Sequence, residues 1–276
     1  MGWTLAVTNQ KGGVGKTTTA VNLAAALAVR GVSVLLVDMD PQGNATVSTG
    51  IEKESLTKTL TDVLLDEAPV ADAVVTVCDG RFDLLPANLE LAGAEFQLVT
   101  RIGRELKLKR ALASLPKDYG IVLIDCPPAL NTLTINALVA ADDVLIPVQC
   151  EYFALEGLSS LLDTLEQVRL ALNPALGIAG VVRTLHDARN LLSQQVSAEL
   201  EAHFGGQMFR TPIPRNVRLA EAPSHGLPGV LYDTQSPGAL AYSMLADELL
   251  LRLPDALVLN LPKPKPKKTK KKKKTA

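Results

Sequence analysis

Asn9-Gln10-Lys11-Gly12-Gly13-Val14-Gly15-Lys16-Thr17-Thr18-Thr19 is the stretch that decides how this chain reads. The run before it, Leu5-Ala6-Val7-Thr8, is apolar and β-branched and predicts a buried strand. The run after it, from about Thr17 to Arg30, predicts a helix with Val21, Leu23, Ala24, Ala25 and Leu27 available to pack. Glycines between a buried strand and a helix start are what a phosphate-binding loop needs. Gly12, Gly13 and Gly15 let the backbone curl so that successive N–H groups face an anion. The helix start adds free N–H groups and partial positive charge. Lys16 can reach the β- and γ-phosphates, and the Thr17 hydroxyl can ligate magnesium.

The loop departs from the usual G-x-x-x-x-G-K-[ST] spacing at one position. Gln10 stands where the first glycine belongs, and a second lysine, Lys11, follows it. In this form, Lys11 to Thr18 resembles the deviant Walker A loop of the ParA/MinD class of P-loop ATPases. The resemblance implies an α/β fold, a mostly parallel twisted sheet flanked by helices. It implies ATP/ADP and Mg2+ as cofactors, with Lys11, Gly12, Gly13, Val14, Gly15, Lys16, Thr17 and Thr18 around the nucleotide. It also implies a homodimer formed with ATP, in which Lys11 reaches the partner's nucleotide and joins Lys16 as a catalytic group.

Strand and helix patterns alternate along the chain, which by itself predicts a mostly parallel sheet covered by helices. Val32 to Val37 predicts the second strand and runs into Asp38-Met39-Asp40-Pro41-Gln42-Gly43-Asn44. Ligands of such sheets sit at the carboxyl ends of strands, so Asp38 and Asp40 are placed to face phosphates. The same residues are ordinary turn formers, and the pattern alone does not choose. The stretch is similar to the second signature of the ParA family, which implies that Asp40 handles the attacking water and lies at the metal. Tyr119-Gly120-Ile121-Val122-Leu123-Ile124-Asp125-Cys126-Pro127-Pro128 predicts a fully buried strand ending in an acid. Asp125 can hold magnesium through water, as a Walker B aspartate does.

Further expectations are a helix near Thr59 to Leu65, a strand over Phe82 to Pro86 and a long helical region from Leu89 to Leu115. Arg101, Arg104, Lys107, Lys109 and Arg110 in that region read as a solvated face. A strand over Val144 to Val148, a helix over Ala154 to Leu172, a strand over Gly177 to Arg183 and a helix over Leu191 to Phe204 follow. Phe209 to Arg218 predicts a strand running into a loop, and a last helix spans about Gly238 to Leu253. Asp187-Ala188-Arg189-Asn190 and Ile213 to Gly226 resemble the Soj/ParA chromosome-partitioning branch rather than MinD. That resemblance implies that Pro214 and Asn216 lie against the nucleotide base. It gives Arg189 and Arg218 a place on a DNA-binding face formed in the dimer, and Arg215 joins them as a phosphate contact. The implied partners are non-specific double-stranded DNA of the nucleoid and a ParB/Spo0J-like centromere-binding protein that stimulates weak basal ATP hydrolysis.

Composition sets the limits. The chain has 276 residues, 47% hydrophobic and 21% charged, enough for one sizeable α/β domain over 1–253. Its formal charge of −1 hides an asymmetry. Lys263 to Ala276 holds nine of the 28 basic residues and no acid, which leaves 19 bases against 29 acids, a net of −10, in 1–262. The Pro/Lys-rich segment 254–276 reads as a disordered basic tail. Cys78, Cys126 and Cys150 lack C-x-x-C spacing and read as reduced and packed. No apolar run is long enough to span a membrane, and no signal peptide stands at the start, so a cytoplasmic, nucleoid-associated protein with no membrane partner is expected. A MinD-like membrane role would want an amphipathic terminal helix, and Pro254 and Pro262 interrupt the segment where it would lie.

Overall fold

The computed structural model describes residues 2–152 and 154–253. The expectation for the tail over 254–276 lies outside the described residues.

Among the described residues, seven strands form one sheet: β1 (Trp3–Val7), β2 (Val34–Asp38), β3 (Val75–Val77), β4 (Phe82–Leu85), β5 (Ile121–Asp125), β6 (Asp143–Gln149) and β7 (Gly177–Thr184), in the order β3-β4-β2-β5-β1-β6-β7. Every pairing is parallel except β3 with β4. The central strands β1, β2 and β5 are buried along their whole length. That requires helices on both faces and explains why they read as unbroken apolar runs.

Among the described residues, twelve α-helices cover the sheet: α1 (Lys16–Val29), α2 (Asn44–Val47), α3 (Leu60–Leu64), α4 (Val70–Ala73), α5 (Glu90–Leu98), α6 (Lys107–Ala113), α7 (Thr132–Ala140), α8 (Ala154–Ala171), α9 (Leu191–Phe204), α10 (Val217–Glu221), α11 (Gly229–Tyr232) and α12 (Pro237–Leu250). One face is built on α1 and α12, whose Leu23, Leu27, Tyr242 and Leu245 share a core with Leu5, Leu36 and Leu123. The other is built on α5 to α9, where Leu108, Leu133, Leu158 and Leu200 pack on Leu35, Val122 and Ile146. Helix α8 shows the sequence logic: Ala154, Leu158, Leu161, Leu165 and Val168 are buried at helical spacing. Thus α1 leaves β1 over one face, and α7 leaves the neighbouring β5 over the other. A crevice opens between them at the carboxyl ends of the strands.

Three expectations are corrected. The long helix over 89–115 is two helices, α5 and α6, because Gly103 sits at φ 68 and breaks the run. Its basic residues are not a purely solvated face. Lys107 and Arg101 both pair with Asp66, Arg101 also donates to the Leu65 carbonyl at 2.5 Å, and the Lys107 side chain is only 12% exposed. Phe209 to Arg218 contains no strand. Pro212 and Pro214 remove ladder donors, and only isolated bridges, Val181 with Met208 and His186 with Pro214, remain. Charged side chains take over the backbone there. Glu248 accepts from the N–H groups of Arg210 (2.6 Å) and Thr211 (3.1 Å), and Arg252 donates to the carbonyls of Gln207 (3.0 Å) and Met208 (2.7 Å). The antiparallel edge strand β3 was not foreseen; its three residues are too short to carry a period.

Glu248 therefore anchors the segment that leads to Pro214 and Asn216. Glu248→Ala should cost about 2 kcal/mol in urea unfolding, the loss of charge-assisted bonds to two backbone donors. Glu248→Gln should recover part of it, and equal unfolding midpoints for all three chains would refute the anchor.

Candidate functional site: a phosphate loop over buried carboxylates

Strand register assembles the site. Val7 pairs with Asp125, and Asp38 pairs with Asp125, so β1, β5 and β2 end flush. The loop leaves β1 at this level and is stitched to the end of β6. Thr8 N–H donates to the Leu145 carbonyl (3.1 Å), and Asn9 Nδ2 donates to the Pro147 carbonyl (2.8 Å). Asn9 Oδ1 turns back to accept from Lys11 N–H at 3.0 Å. Gly13 (φ 76) and Gly15 (φ 86) adopt left-handed conformations that reverse the chain into α1. No side chain caps α1, so its first N–H groups remain for a ligand. A Cβ added at Gly12 or Gly13 would meet nothing within 4 Å, so the loop surrounds open space. Val14 is buried, and its carbonyl accepts from the Thr184 hydroxyl at 2.7 Å.

Lys16 lies beneath the loop at 7% exposure and donates to the Lys11 carbonyl at 3.0 Å. Burial lowers its pKa, and the nearby Asp125 opposes that shift. Asp125 is fully buried, and neither carboxylate oxygen has a geometrically sound hydrogen bond, although the Thr17 hydroxyl lies near enough to favour its charged form. Burial, and then the charge of Asp38, push its pKa well above the ordinary carboxylate range. Asp38 is also fully buried and is raised to about 6 by burial. Unlike Asp125 it is fully engaged: it accepts from Thr46 N–H and Thr46 Oγ1, each at 2.8 Å, and from Asp40 N–H at 3.2 Å. Asp38 thus holds the loop that carries Asp40. Asp40 is half-buried; among the described residues its carboxylate accepts from Gln42 N–H alone, at 2.9 Å.

These observations test the fit of a magnesium ion. A buried carboxylate with two unpartnered oxygens beside a second buried carboxylate is costly without a cation. A hard oxygen donor set of Asp125, Asp40 and the Thr17 hydroxyl suits magnesium. The residues fit.

A cavity of about 100 Å³ continues from the loop and is lined by Gly15, Thr18, Thr184, Pro214, Asn216 and Tyr242. Asn216 uses its carbonyl oxygen to cap α10 through Leu219 N–H (3.2 Å), which leaves its NH2 group uncommitted by the cap. The bridge between His186 and Pro214 lays the loop bearing Arg189 beside the loop bearing Arg215. Arg189 is paired with Asp187 at 3.1 Å, and that contact holds the Asp187 carboxyl down at about 2. Arg218 is shared by Glu221 (2.9 Å) and Asp233 (3.4 Å). Arg215 is exposed and has no ion pair among the described residues.

Sequence reasoning missed four residues. Thr184 supports the loop, Tyr242 meets the Thr19 hydroxyl at 3.1 Å, Thr46 engages Asp38, and Glu151 engages Lys11 at 2.8 Å. Each lies at least eight residues from its partner in an unremarkable local pattern. No sequence signal short of the strand order would have found them.

A strand–loop–helix cradle over a buried carboxylate, at the switch point of a parallel sheet, defines a P-loop nucleotide-binding protein. The chain matches the AAA_31 model, an AAA domain, over residues 2–178. It is 54% identical to the sporulation initiation inhibitor protein Soj of Bacillus subtilis over 248 residues, 90% of this chain and 98% of that protein. It is 51% identical to the chromosome partitioning protein ParA of Caulobacter vibrioides, over 91% of this chain and 95% of that protein. A solved structure titled cobyrinic acid a,c-diamide synthase from Mycobacterium smegmatis, with bound ATP analogue and magnesium, superposes with a TM-score of 0.79 at 43% identity, covering 91% of this chain and 95% of that one. The cell division ATPase MinD of Pyrococcus furiosus superposes with a TM-score of 0.75 at 27% identity, over 90% and 98% of the two chains. The chain belongs to the Soj/ParA family of chromosome-partitioning ATPases. Among the described residues no helix is long and apolar enough to cross a membrane.

The raised pKa of Asp125 has a thermodynamic consequence. A folded-state value above the unfolded one means that the folded chain takes up the proton first as pH falls, so stability is lost as pH rises from about 4 toward the folded value. Asp125→Asn removes that loss. Without magnesium, the variant should unfold at a higher temperature than the unmodified chain at pH 7.5, and the gap should close as pH falls toward 4. A gap independent of pH would show that the carboxylate is not strained.

Proposed function

We propose that this chain is an ATP-dependent DNA-partitioning switch: it pairs with a second copy when ATP is bound, holds DNA non-specifically as the pair, and lets go after hydrolysis. The single observation that carries the reading is the continuity of one segment. Pro214 and Asn216 line the cavity that continues from the phosphate loop, while Arg215 and Arg218 are exposed beside them. What binds in the cavity therefore bears directly on the arginines.

ATP and magnesium are the cofactors, as in the Mycobacterium smegmatis relative solved with an ATP analogue and magnesium. Gly12 to Thr18, Lys16 among them, would hold the phosphates, Thr17, Asp125 and Asp40 would face the metal, and Asp40, free of the bonds that immobilise Asp38, would also orient the attacking water. Phosphoryl transfer needs mainly positioning and charge stabilisation. Lys11 adds its charge to the partner's nucleotide only when two subunits face each other. Binding energy that exists only in the pair makes ATP favour the dimer, and loss of the γ-phosphate weakens it.

The body of the chain, residues 1–262, carries a net charge of −10 and is a poor DNA ligand alone. Pairing brings two copies of Arg189, Arg215 and Arg218 onto one surface. Arg189 and Arg218 are partly neutralised by Asp187, Glu221 and Asp233 within one copy. A single copy therefore binds weakly, and affinity depends on multiplicity and on salt. A ParB-like partner, cytoplasmic residence and association with the nucleoid follow from the same cycle.

Binding of a non-specific duplex to the full chain and to a version ending at Leu261, with ATP, with ADP and without nucleotide, tests the reading. ATP should strengthen binding in both, and Arg215→Glu should abolish the gain without changing nucleotide affinity. Binding that ignores nucleotide and disappears with the tail would overturn it. Asp40→Ala should keep ATP and DNA binding while turnover falls about 100-fold or more; unchanged turnover would remove Asp40 from the mechanism.

A further inference from the structure

We propose that Glu151 is a positioning residue that holds Lys11 inside its own subunit and so sets how much ATP is needed for two subunits to pair. This rests on the reading above, in which Lys11 works across the dimer.

Lys11 Nζ lies 2.8 Å from Glu151 Oε2, a contact between residues 140 positions apart. Both ends are fixed by backbone. Lys11 N–H donates to Asn9 Oδ1 at 3.0 Å, and its carbonyl accepts from Lys16 Nζ at 3.0 Å. Glu151 stands in a tight turn at the end of β6, with its N–H on the Gln149 carbonyl (2.8 Å) and its carbonyl accepting from Ala154 N–H (2.9 Å) at the start of α8. The second Glu151 oxygen is engaged by Gln149 Nε2. The carboxylate is thus aimed at the lysine before the lysine arrives, and the ammonium is held back over its own loop.

The exposure of the pair decides what it can do. The two side chains are 35% and 48% exposed, so water screens the contact and replaces it readily. A buried pair would lock Lys11 in place, because breaking it strands a charge. An exposed pair is weak enough to yield to a more strongly charged partner and strong enough to bias the equilibrium. Each dimer must release two such pairs, one per subunit, so the bias enters the pairing constant squared. From the usual worth of an exposed pair, removing the carboxylate should tighten pairing about twofold to thirtyfold.

The test is sedimentation of the full-length chain with magnesium and a non-hydrolysable ATP analogue, across protein concentration and at two salt concentrations. Glu151→Gln should lower the dimer Kd by about twofold to thirtyfold. Glu151→Asp, which keeps the charge, should return it toward the unmodified chain. Added salt should narrow the difference between Glu151→Gln and the unmodified chain, because it screens the pair that only the latter has. Lys11→Ala should remove pairing in both backgrounds. A dimer Kd unchanged in Glu151→Gln would overturn the proposal. So would a weaker dimer, since Glu151 would then serve the pair rather than oppose it. If Lys11→Ala pairs as well as the unmodified chain, the cross-dimer role of Lys11 falls, and this proposal falls with it by a separately visible route.

Discussion

Two buried carboxylates sit side by side because β2 and β5 are in register, and that repulsion governs the site. Asp38 and Asp125 are direct cross-strand partners at the carboxyl end of the sheet, and both are fully buried. Like charges opposite one another in low dielectric are destabilising. The fold resolves the conflict differently for each. Asp38 receives three hydrogen bonds and becomes part of the scaffold. Asp125 receives no sound one and keeps its need for positive charge. Lys16, itself deprived of water, supplies part of it from the loop above. A site poised in this way gains most when a cation and a polyanion arrive together.

The same arrangement separates the roles of the two aspartates of the Asp38-Met39-Asp40 run. Asp38 is the last residue of β2 and is buried, whereas Asp40 lies past the strand end, in the turn, and is left half-buried. Thr46 takes both the inward carboxylate and the Ala87 N–H (3.0 Å), so the loop carrying Asp40 is tied to the end of β4. The chain around it is equally constrained. Gly50 and Gly226 touch so closely that a Cβ at Gly226 would stand 2.8 Å from Gly50 Cα. The segment after Asp40 therefore packs backbone to backbone on the turn that follows α10, which bears Arg218. Nucleotide loop, Asp40 loop and arginine-bearing segment form one continuous surface.

The arginines on that surface are not freely available charges. Arg189 and Arg218 each have acidic partners within the chain, and both side chains are exposed, Arg189 more so than Arg218. Such pairs are weak individually and exchange readily for phosphate. An acidic body with locally balanced arginines presents little net positive charge to a polyanion. The Lys11 to Glu151 contact follows the same principle: an exposed internal pair holds a charge that a stronger partner can displace.

The residues from Asn9 to Thr19 and the strand ending at Asp125 were legible in the sequence, whereas the Asp38 to Asn44 run read equally as a turn and was assigned only by its resemblance to the ParA family. Their meaning depends on local geometry: glycines that permit a left-handed backbone, a helix start with free donors, and acids at the ends of buried strands. The alternation of periods was enough for the parallel sheet and most of its helices, and it failed at Gly103 and over Phe209 to Arg218. There a single glycine and side-chain bonds from Glu248 and Arg252 overrode the apolar pattern. Only the tertiary structure decided which acid is engaged and which is left wanting, that Lys11 rests on Glu151, that Thr184 and Tyr242 support the loop, and that the loop bearing Arg189 runs beside the loop bearing Arg215. Those contacts join positions far apart in the chain, and they exist because strand order and register, set by the burial of both sheet faces, bring the ends of separate strands to one level.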